Sequence, residues 1–222
     1  MSLSEAAAAG SPQNWRIETW FPKISKEASE KLKAFYELIL AGNKTVSLIS
    51  PKAAPFADAI HFADSLMACE AVLSDAPDAK EIYDLGSGNG FPGLVGAIVY
   101  PEVRFVLVDA DGKKNEYLKQ CVNRIGLKNV EVKTAQIEAL PQDSVRLGMA
   151  RGLSNISKTI LISRKCFAKG GVLYHLKSEN WAMEVGEIPT QLCSVWSPAL
   201  VKEYRLPIGE MRFAIVKTTK IG

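Results

Sequence analysis

The chain has 222 residues, 47% of them hydrophobic and 23% charged, which supports a full globular core and excludes a disordered chain. Its net charge of +3 permits a nucleic-acid partner without demanding one. Four scattered cysteines (Cys69, Cys121, Cys166, Cys193) with no C-x-x-C pair, and two histidines (His61, His175) far apart in sequence, argue against a disulfide framework and a metal site.

Residues 1–14 are small and polar and are expected to form a mobile arm. The region up to about residue 75 has helical spacing. Lys26 to Leu40 places Leu32, Phe35, Tyr36, Ile39 and Leu40 on one stripe, and Gly42-Asn43 ends that helix. Residues 43–56, with Pro51 and Pro55, form a loop. Helical spacing resumes from Phe56 to Leu73 through Phe62, Leu66 and Cys69, and residues 74–80 connect to the first strand. The expected organisation is thus an arm (1–14), a helical extension (15–80) and an α/β domain (81–222).

From Glu81 strands and helices alternate. Strand 81–85 precedes helix 92–100, strand 104–109 and helix 112–126. Strand 129–134 and a helical turn at 137–140 follow. Strand 145–150 leads to helix 154–168, stopped by Gly170-Gly171, and then to strand 171–177, where His175 reads as a structural residue. A helical piece near 179–187 precedes two strand candidates, 192–205 (interrupted by Pro198) and 211–218. Repeated β-α-β implies a parallel sheet covered on both faces, and the terminal pair adds one antiparallel strand. No stretch approaches the ~20 apolar residues of a membrane span. Ala6–Ala9 is too short, and follows Glu5 instead of a basic cluster, so it does not read as a signal peptide. A cytoplasmic protein with free thiols, monomeric by default and with no membrane partner, is the expectation.

The junction after the first strand is the most informative segment. Asp84-Leu-Gly86-Ser-Gly88-Asn-Gly90-Phe91-Pro92-Gly93 has the form of strand, glycine loop and helix start. Such a loop lets a ligand lie against bare backbone, and the helix start offers free N–H groups. The spacing is G-x-G-x-G, not the G-x-G-x-x-G that packs a helix against a pyrophosphate. Phe91-Pro92 follows at once, which suits a ligand without pyrophosphate, such as S-adenosylmethionine. Asp109, ending the second strand, is placed to accept bonds from ribose hydroxyls. The plain alternative is a glycine-rich turn with Asp109 as a strand-end cap.

Three further places point toward the same end of the sheet. Gln136-Ile137-Glu138 follows the third strand, where Ile137 and Glu138 can flank an adenine ring. Arg151 ends the fourth strand, where an open parallel sheet binds ligands. It can hold an anion or stack on a base. Lys113 and Lys114, just after Asp111-Gly112, are candidate RNA phosphate contacts near the mouth of the site, whereas Lys119, Arg124 and Lys128 read as solvated helix surface.

Asn43-Lys44, His61-Phe-Ala-Asp64-Ser65, the Asp84–Gly93 loop, Leu107-Val-Asp109, Gly112-Lys113-Lys114, Ile137-Glu138 and Ala150-Arg151-Gly152 follow in order with compatible spacing, within a likeness that extends over residues 25 to 218. This pattern resembles the bacterial 16S ribosomal RNA (guanine-N7)-methyltransferase family, also described as glucose-inhibited division protein B. Phe91-Pro92-Gly93 is its most specific element. Ser47, Ile49, Ile60, Ala150 and Gly152 depart from the family pattern, mostly at positions on the RNA side.

The resemblance implies a class I S-adenosylmethionine-dependent methyltransferase, Rossmann-like, with a mostly parallel seven-stranded sheet and an N-terminal helical extension. It implies methyl transfer to N7 of a guanine in 16S ribosomal RNA, acting on the RNA or the small ribosomal subunit. Asp84, Gly86, Gly88, Gly90, Phe91, Asp109, Ile137, Glu138 and Arg151 would serve the cofactor. Arg151 would lie near the reacting methionine or target base, and no metal is expected. A methyltransferase for a small molecule or protein, and a non-catalytic nucleotide-binding assembly module, remain competing readings. A dehydrogenase is disfavoured by the glycine spacing.

Overall fold

The computed structural model describes residues 14–43 and 46–222. The expected arm, apart from its last residue, and Lys44 lie outside them. Helix α1 (Ile17–Trp20) and helix α2 (Lys26–Gly42) begin the described chain. Ser25 caps α2, its hydroxyl accepting from the Ala28 N–H at 3.2 Å, which satisfies one of the orphan donors of the first turn. The expected stripe is the buried face: Leu32, Phe35, Tyr36 and Ile39 are covered, while Leu40 is only half-buried.

The single helix expected over 56–73 is three pieces. A 3₁₀ turn (Ala54–Phe56) and a π turn (Asp58–Ala63) precede helix α3 (Asp64–Asp75). Pro55 sits in the first turn of the 3₁₀ piece. The π turn carries buried Asp58, whose carboxylate takes a forked pair of bonds from Arg16 Nε and Nη2, both at 2.8 Å. Such wide turns are rare and tend to occur at functional sites; here it carries His61.

Strands β1 (Glu81–Leu85), β2 (Arg104–Asp109), β3 (Val130–Thr134), β4 (Val145–Arg151), β5 (Phe167–Ser178), β6 (Trp196–Arg205) and β7 (Arg212–Lys220) form one sheet in the order β3-β2-β1-β4-β5-β7-β6. All neighbours pair in parallel from β3 to β5, and β7 alone runs against the rest, between β5 and β6. The expected single antiparallel strand is therefore β7. Pro198 lies on edge strand β6, where a missing N–H is tolerated.

Alternation along the strands sorts the two cores. Ile82, Phe105 and Leu107 face α2, α3, helix α4 (Gly93–Val99) and helix α5 (Gly112–Ile125). Tyr83, Leu85, Val106 and Val108 face the 3₁₀ turn Ile137–Ala139, helix α6 (Ile156–Ser163) and the ends of helices α7 (Trp181–Gly186) and α8 (Thr190–Cys193). The N-terminal helices share the first core with the sheet.

The helix expected over 154–168 ends at Ser163, and β5 starts at Phe167 and runs through Gly170-Gly171. The glycine pair does not stop a helix; it builds a bulge. Val145 pairs with Phe167 while Leu147 pairs with Val172, so the extra β5 residues loop out. Gly170 has φ +77°, and a Cβ on Gly171 would lie 2.8 Å from the Ala168 carbonyl oxygen.

Candidate active site

The strand order reverses between β1 and β4, so a crevice opens beyond their carboxyl ends, where open α/β sheets bind ligands. One flank comes from the β1 loop. Gly86 and Ser87 donate to the Val108 carbonyl at 2.8 and 3.1 Å, and Gly90 donates to Ser87 at 2.7 Å. These bonds fold the loop back on β2.

The three alternate glycines have different surroundings. A Cβ on Gly86 would lie 2.7 Å from Leu153 Cδ1, and one on Gly90 would lie 2.9 Å from Leu118 Cδ2. Gly88, with φ +53°, faces open space, its nearest neighbours being 3.8 Å or more away. It is the bare backbone that a ligand can approach. Gly93 is closed in by Leu107 and by Asp84, whose Oδ2 would lie 2.6 Å from a Cβ there.

Asp84 is fully buried. Its Oδ2 accepts from the Gly93 N–H at 2.9 Å, while Oδ1 has no partner. Burial pushes its pKa up to about 7, against the opposing pull of the Gly93 bond. The buried Ser87 hydroxyl also lacks a partner. Two unpartnered buried polar atoms and an open glycine in one loop fit a polar ligand that supplies the missing contacts.

Asp109 closes this flank. Its Oδ2 accepts from Gly88 N–H at 2.8 Å and its Oδ1 from Asp111 N–H at 2.9 Å. An ionised carboxylate has about four lone-pair sites, so two remain for ribose hydroxyls. Asn115, wholly buried, ties the ends of β2 and β3 by donating to the Asp109 carbonyl at 2.7 Å and to Thr134 Oγ1 at 3.1 Å. Ile137 is buried in the second core and Glu138 is exposed. Lys113, exposed, and Lys114, half-buried, form the first turn of α5. Asp111 Oδ1 takes both their N–H groups at 2.9 and 3.2 Å, leaving the lysine side chains without an ion pair among the described residues.

The other flank centres on Arg151. Its Nη1 donates to Asp64 Oδ2 at 3.0 Å and to the Ile60 carbonyl at 3.3 Å. Its Nη2 lies 3.2 Å from His61 Nδ1. A guanidinium can only donate, so Nδ1 is the acceptor and the imidazole proton sits on Nε2. Burial, then the Arg151 charge, lowers the His61 pKa to about 3, so the ring is neutral. Phe91, 2% exposed, stacks on His61 at 5.0 Å and lies 5.4 Å beneath the guanidinium carbon. Asp64 Oδ1 accepts from the Tyr204 hydroxyl at 2.7 Å, and both residues are buried.

A cleft of about 330 Å³ opens beside this cluster, lined also by Gly152, Lys177 and Glu184. Lys177 donates to the Ser154 carbonyl at 2.6 Å and pairs with Glu184 at 2.8 Å. Glu184 also accepts from the Ile156 N–H, the first residue of α6.

His61, Asp64 and Ser65 enter the sequence pattern without an assigned role, and Tyr204, Lys177 and Glu184 carry no expectation from sequence. The i, i+3 spacing of His61 and Asp64 on one helical face is the signal for the first two. Nothing local marks Tyr204, which reaches Asp64 across 140 residues of chain. His175 sits where a structural residue is expected, buried with Nε2 2.9 Å from Thr218 Oγ1. The four cysteines are free.

The fold and crevice are those of the class I S-adenosylmethionine-dependent methyltransferases. An O-methyltransferase from Thermotoga maritima superposes with a TM-score of 0.55 at 16% identity, covering 83% of this chain and 71% of that one. A methyltransferase from Aquifex aeolicus gives 0.51 at 19% identity, covering 68% and 89%. Sequence comparison is narrower. Residues 28–199 match the family model described as GidB, rRNA small subunit methyltransferase G. A Bdellovibrio bacteriovorus protein named ribosomal RNA small subunit methyltransferase G 3 is 54% identical over 208 residues, 94% of each chain. A ribosomal RNA small subunit methyltransferase G from Halorhodospira halophila is 32% identical, covering 90% of this chain and 95% of that one. The chain belongs to this family of S-adenosylmethionine-dependent rRNA methyltransferases.

Proposed function

We propose that the chain transfers a methyl group from S-adenosylmethionine to N7 of a guanine in 16S ribosomal RNA of the small ribosomal subunit. The observation that carries this reading is an open Gly88–Asp109 cradle at the end of β1 and β2 beside the Arg151 cluster at the end of β4, with Phe91 of the glycine loop lying beneath the guanidinium. The bound cofactor supplies an activated sulfonium methyl group. The chain supplies position. Asp109 holds the ribose hydroxyls, and the Gly86–Gly90 backbone lies along the methionine and ribose. Ser87 and Asp84 offer their free oxygens behind that loop, and Ile137 and Glu138 flank the adenine.

N7 of guanine carries an in-plane lone pair and no proton at neutral pH, so no general base is needed. Neutral His61, with its acceptor nitrogen committed to Arg151, is consistent with that. Holding two reacting groups in line is worth about 7–11 kcal/mol. N7 lies on the Hoogsteen edge, which a base in an RNA loop can present. Lys113 and Lys114, on the rim beside Asp109, contact RNA phosphates. The chain works as a cytoplasmic monomer on RNA or on the small-subunit particle. Among the described residues, no helix is long and apolar enough to cross a membrane.

The test offers labelled S-adenosylmethionine with small-subunit particles and with naked 16S RNA, then maps the modified base. N7-methylguanine at one position is the expected product. Label in protein or small molecules but in neither RNA substrate would sink the reading.

A further inference from the structure

An arginine meets guanine most often through a fork to O6 and N7 together. An enzyme that methylates N7 must leave that atom open, so O6 is the only acceptor on this edge that an arginine can take. Arg151 keeps two of its five donors free for a neutral acceptor in the cleft. Both Nη1 hydrogens are committed, to Asp64 and the Ile60 carbonyl, and one Nη2 hydrogen is committed to His61. Nε–H and the second Nη2–H have no partner among the described residues, and Arg151 lines the cleft.

Its charge is also committed. The Asp64 side chain is 4% exposed and pairs with it at 3.0 Å. An anion clamp for a phosphate or for the methionine carboxylate would gain from an unpaired guanidinium; this one is cancelled by a buried acid that Tyr204 holds from its other oxygen. Cancellation has a chemical use. Methyl transfer to N7 leaves a positive charge on the guanine ring, and an uncompensated arginine next to it would oppose the reaction.

We propose that Arg151 donates to O6 of the target guanine and so selects guanine over adenine, and that Asp64 and Tyr204 are positioning residues that fix Arg151 and neutralise it. This rests on the guanine-N7 reading above. Adenine presents an amino group where guanine presents O6, and a donor facing a donor is rejected.

The experiment replaces the target guanine in the RNA substrate by inosine, which keeps O6 and N7, or by 2,6-diaminopurine, which keeps N7 and loses O6. Rates at saturating cofactor and RNA are compared for each base. The wild type is expected to use guanine and inosine alike and diaminopurine about 10- to 100-fold more slowly. Arg151→Met lowers the guanine rate and shrinks the guanine-to-diaminopurine ratio, with cofactor affinity unchanged. The intrinsic difference between the two N7 atoms is common to all variants, so the change in ratio is the readout. Arg151→Lys keeps the charge opposite Asp64 but loses the fork; it shrinks the ratio even if the Met variant does not fold.

Tyr204→Phe keeps the ring stacked on Phe213, now 5.8 Å away. It lowers kcat and the ratio without raising KM for RNA, a split that a merely structural tyrosine would not give. A ratio that stays fixed in the Lys variant overturns the proposal. So does a collapse of cofactor affinity, which would make Arg151 a clamp for the methionine. A wild type that makes no N7-methylguanine fails the underlying reading instead, before any ratio is compared.

Discussion

The two flanks of the crevice are built in opposite ways. The Gly88–Asp109 flank is nearly all local: residues 84–93 and one acid 21 residues beyond Gly88. Its bonds run largely between backbone groups and carboxylates a short loop away. The Arg151 flank is assembled from a π turn, the Phe91 ring, the end of β4 and edge strand β6, with partners 87, 90 and 140 residues apart. The first is a loop that leaves backbone open at Gly88. The second staples remote segments around a buried charge, so the same side chains serve fold and site together.

Removing one acid from each flank tests that contrast most strongly. Asp64→Ala leaves Arg151 without its buried partner and Tyr204 without an acceptor, and it is expected to cost about 3–5 kcal/mol by denaturant unfolding. Asp109→Ala removes a half-buried carboxylate and is expected to cost about 1 kcal/mol, while cofactor affinity collapses. Equal losses of stability would mean that the two flanks are not built differently.

A smaller effect separates two positions within the local flank. Gly93→Ala drives a methyl into Leu107 and Asp84, an overpacking worth about 1–3 kcal/mol. Gly88→Ala meets no neighbour, so its cost is the left-handed backbone, about 1–2 kcal/mol. Only the second places its methyl in the open space proposed for the cofactor. Calorimetric titration is expected to show a larger loss of cofactor affinity for Gly88→Ala than its stability loss suggests.

The buried titrating groups of the two flanks also oppose each other. Asp84, raised to about 7 from an unfolded value near 3.9, binds a proton in the native state through that interval. Its contribution is complete below pH ~4 and is lost as pH rises through 7. His61, depressed to about 3 from roughly 6.5, stays neutral while the unfolded chain binds a proton. Its contribution is complete above pH ~6.5 and is lost as pH falls, by about 1 kcal/mol for the first unit. Asp84→Asn is therefore expected to steepen the acid loss of stability between pH 6.5 and 4, and His61→Asn to flatten or invert it. Melting temperatures across that range check the signs.

The legibility of the sequence follows the same division. Glycine spacing, the strand-end acid and the Phe-Pro-Gly start are short-range features that mark the cofactor loop and, with the other motifs, the family, while the repeated β-α-β alternation marks the parallel sheet. Gly170-Gly171 misled because a glycine pair marks a helix stop and a strand bulge alike; only the pairing of Val145 with Phe167 separates them. The π turn was invisible because one extra residue in a helical ladder leaves the apolar spacing nearly unchanged. Tyr204 carries no local signal, since its meaning lies in an acid far away in sequence. The three glycines also looked equivalent, and only packing distinguishes open Gly88 from Gly86 and Gly90.

Lys113 and Lys114 give the smallest effect and the finest test of the rim. Both belong to the first turn of α5, with backbone N–H groups held by Asp111 and side chains outside any ion pair among the described residues. Neither contributes to a core, so Lys113→Ala and Lys114→Ala should change stability by less than about 0.5 kcal/mol. Each removes one proposed phosphate contact, which should lower the slope of log K against log salt by about 0.7 to 0.9 per lysine. Cofactor affinity should not move, because Asp109 and Gly88 keep their bond. If the salt slope stays constant while cofactor affinity falls, the lysines belong to the cofactor flank, and the RNA backbone crosses the crevice on the Arg151 side alone.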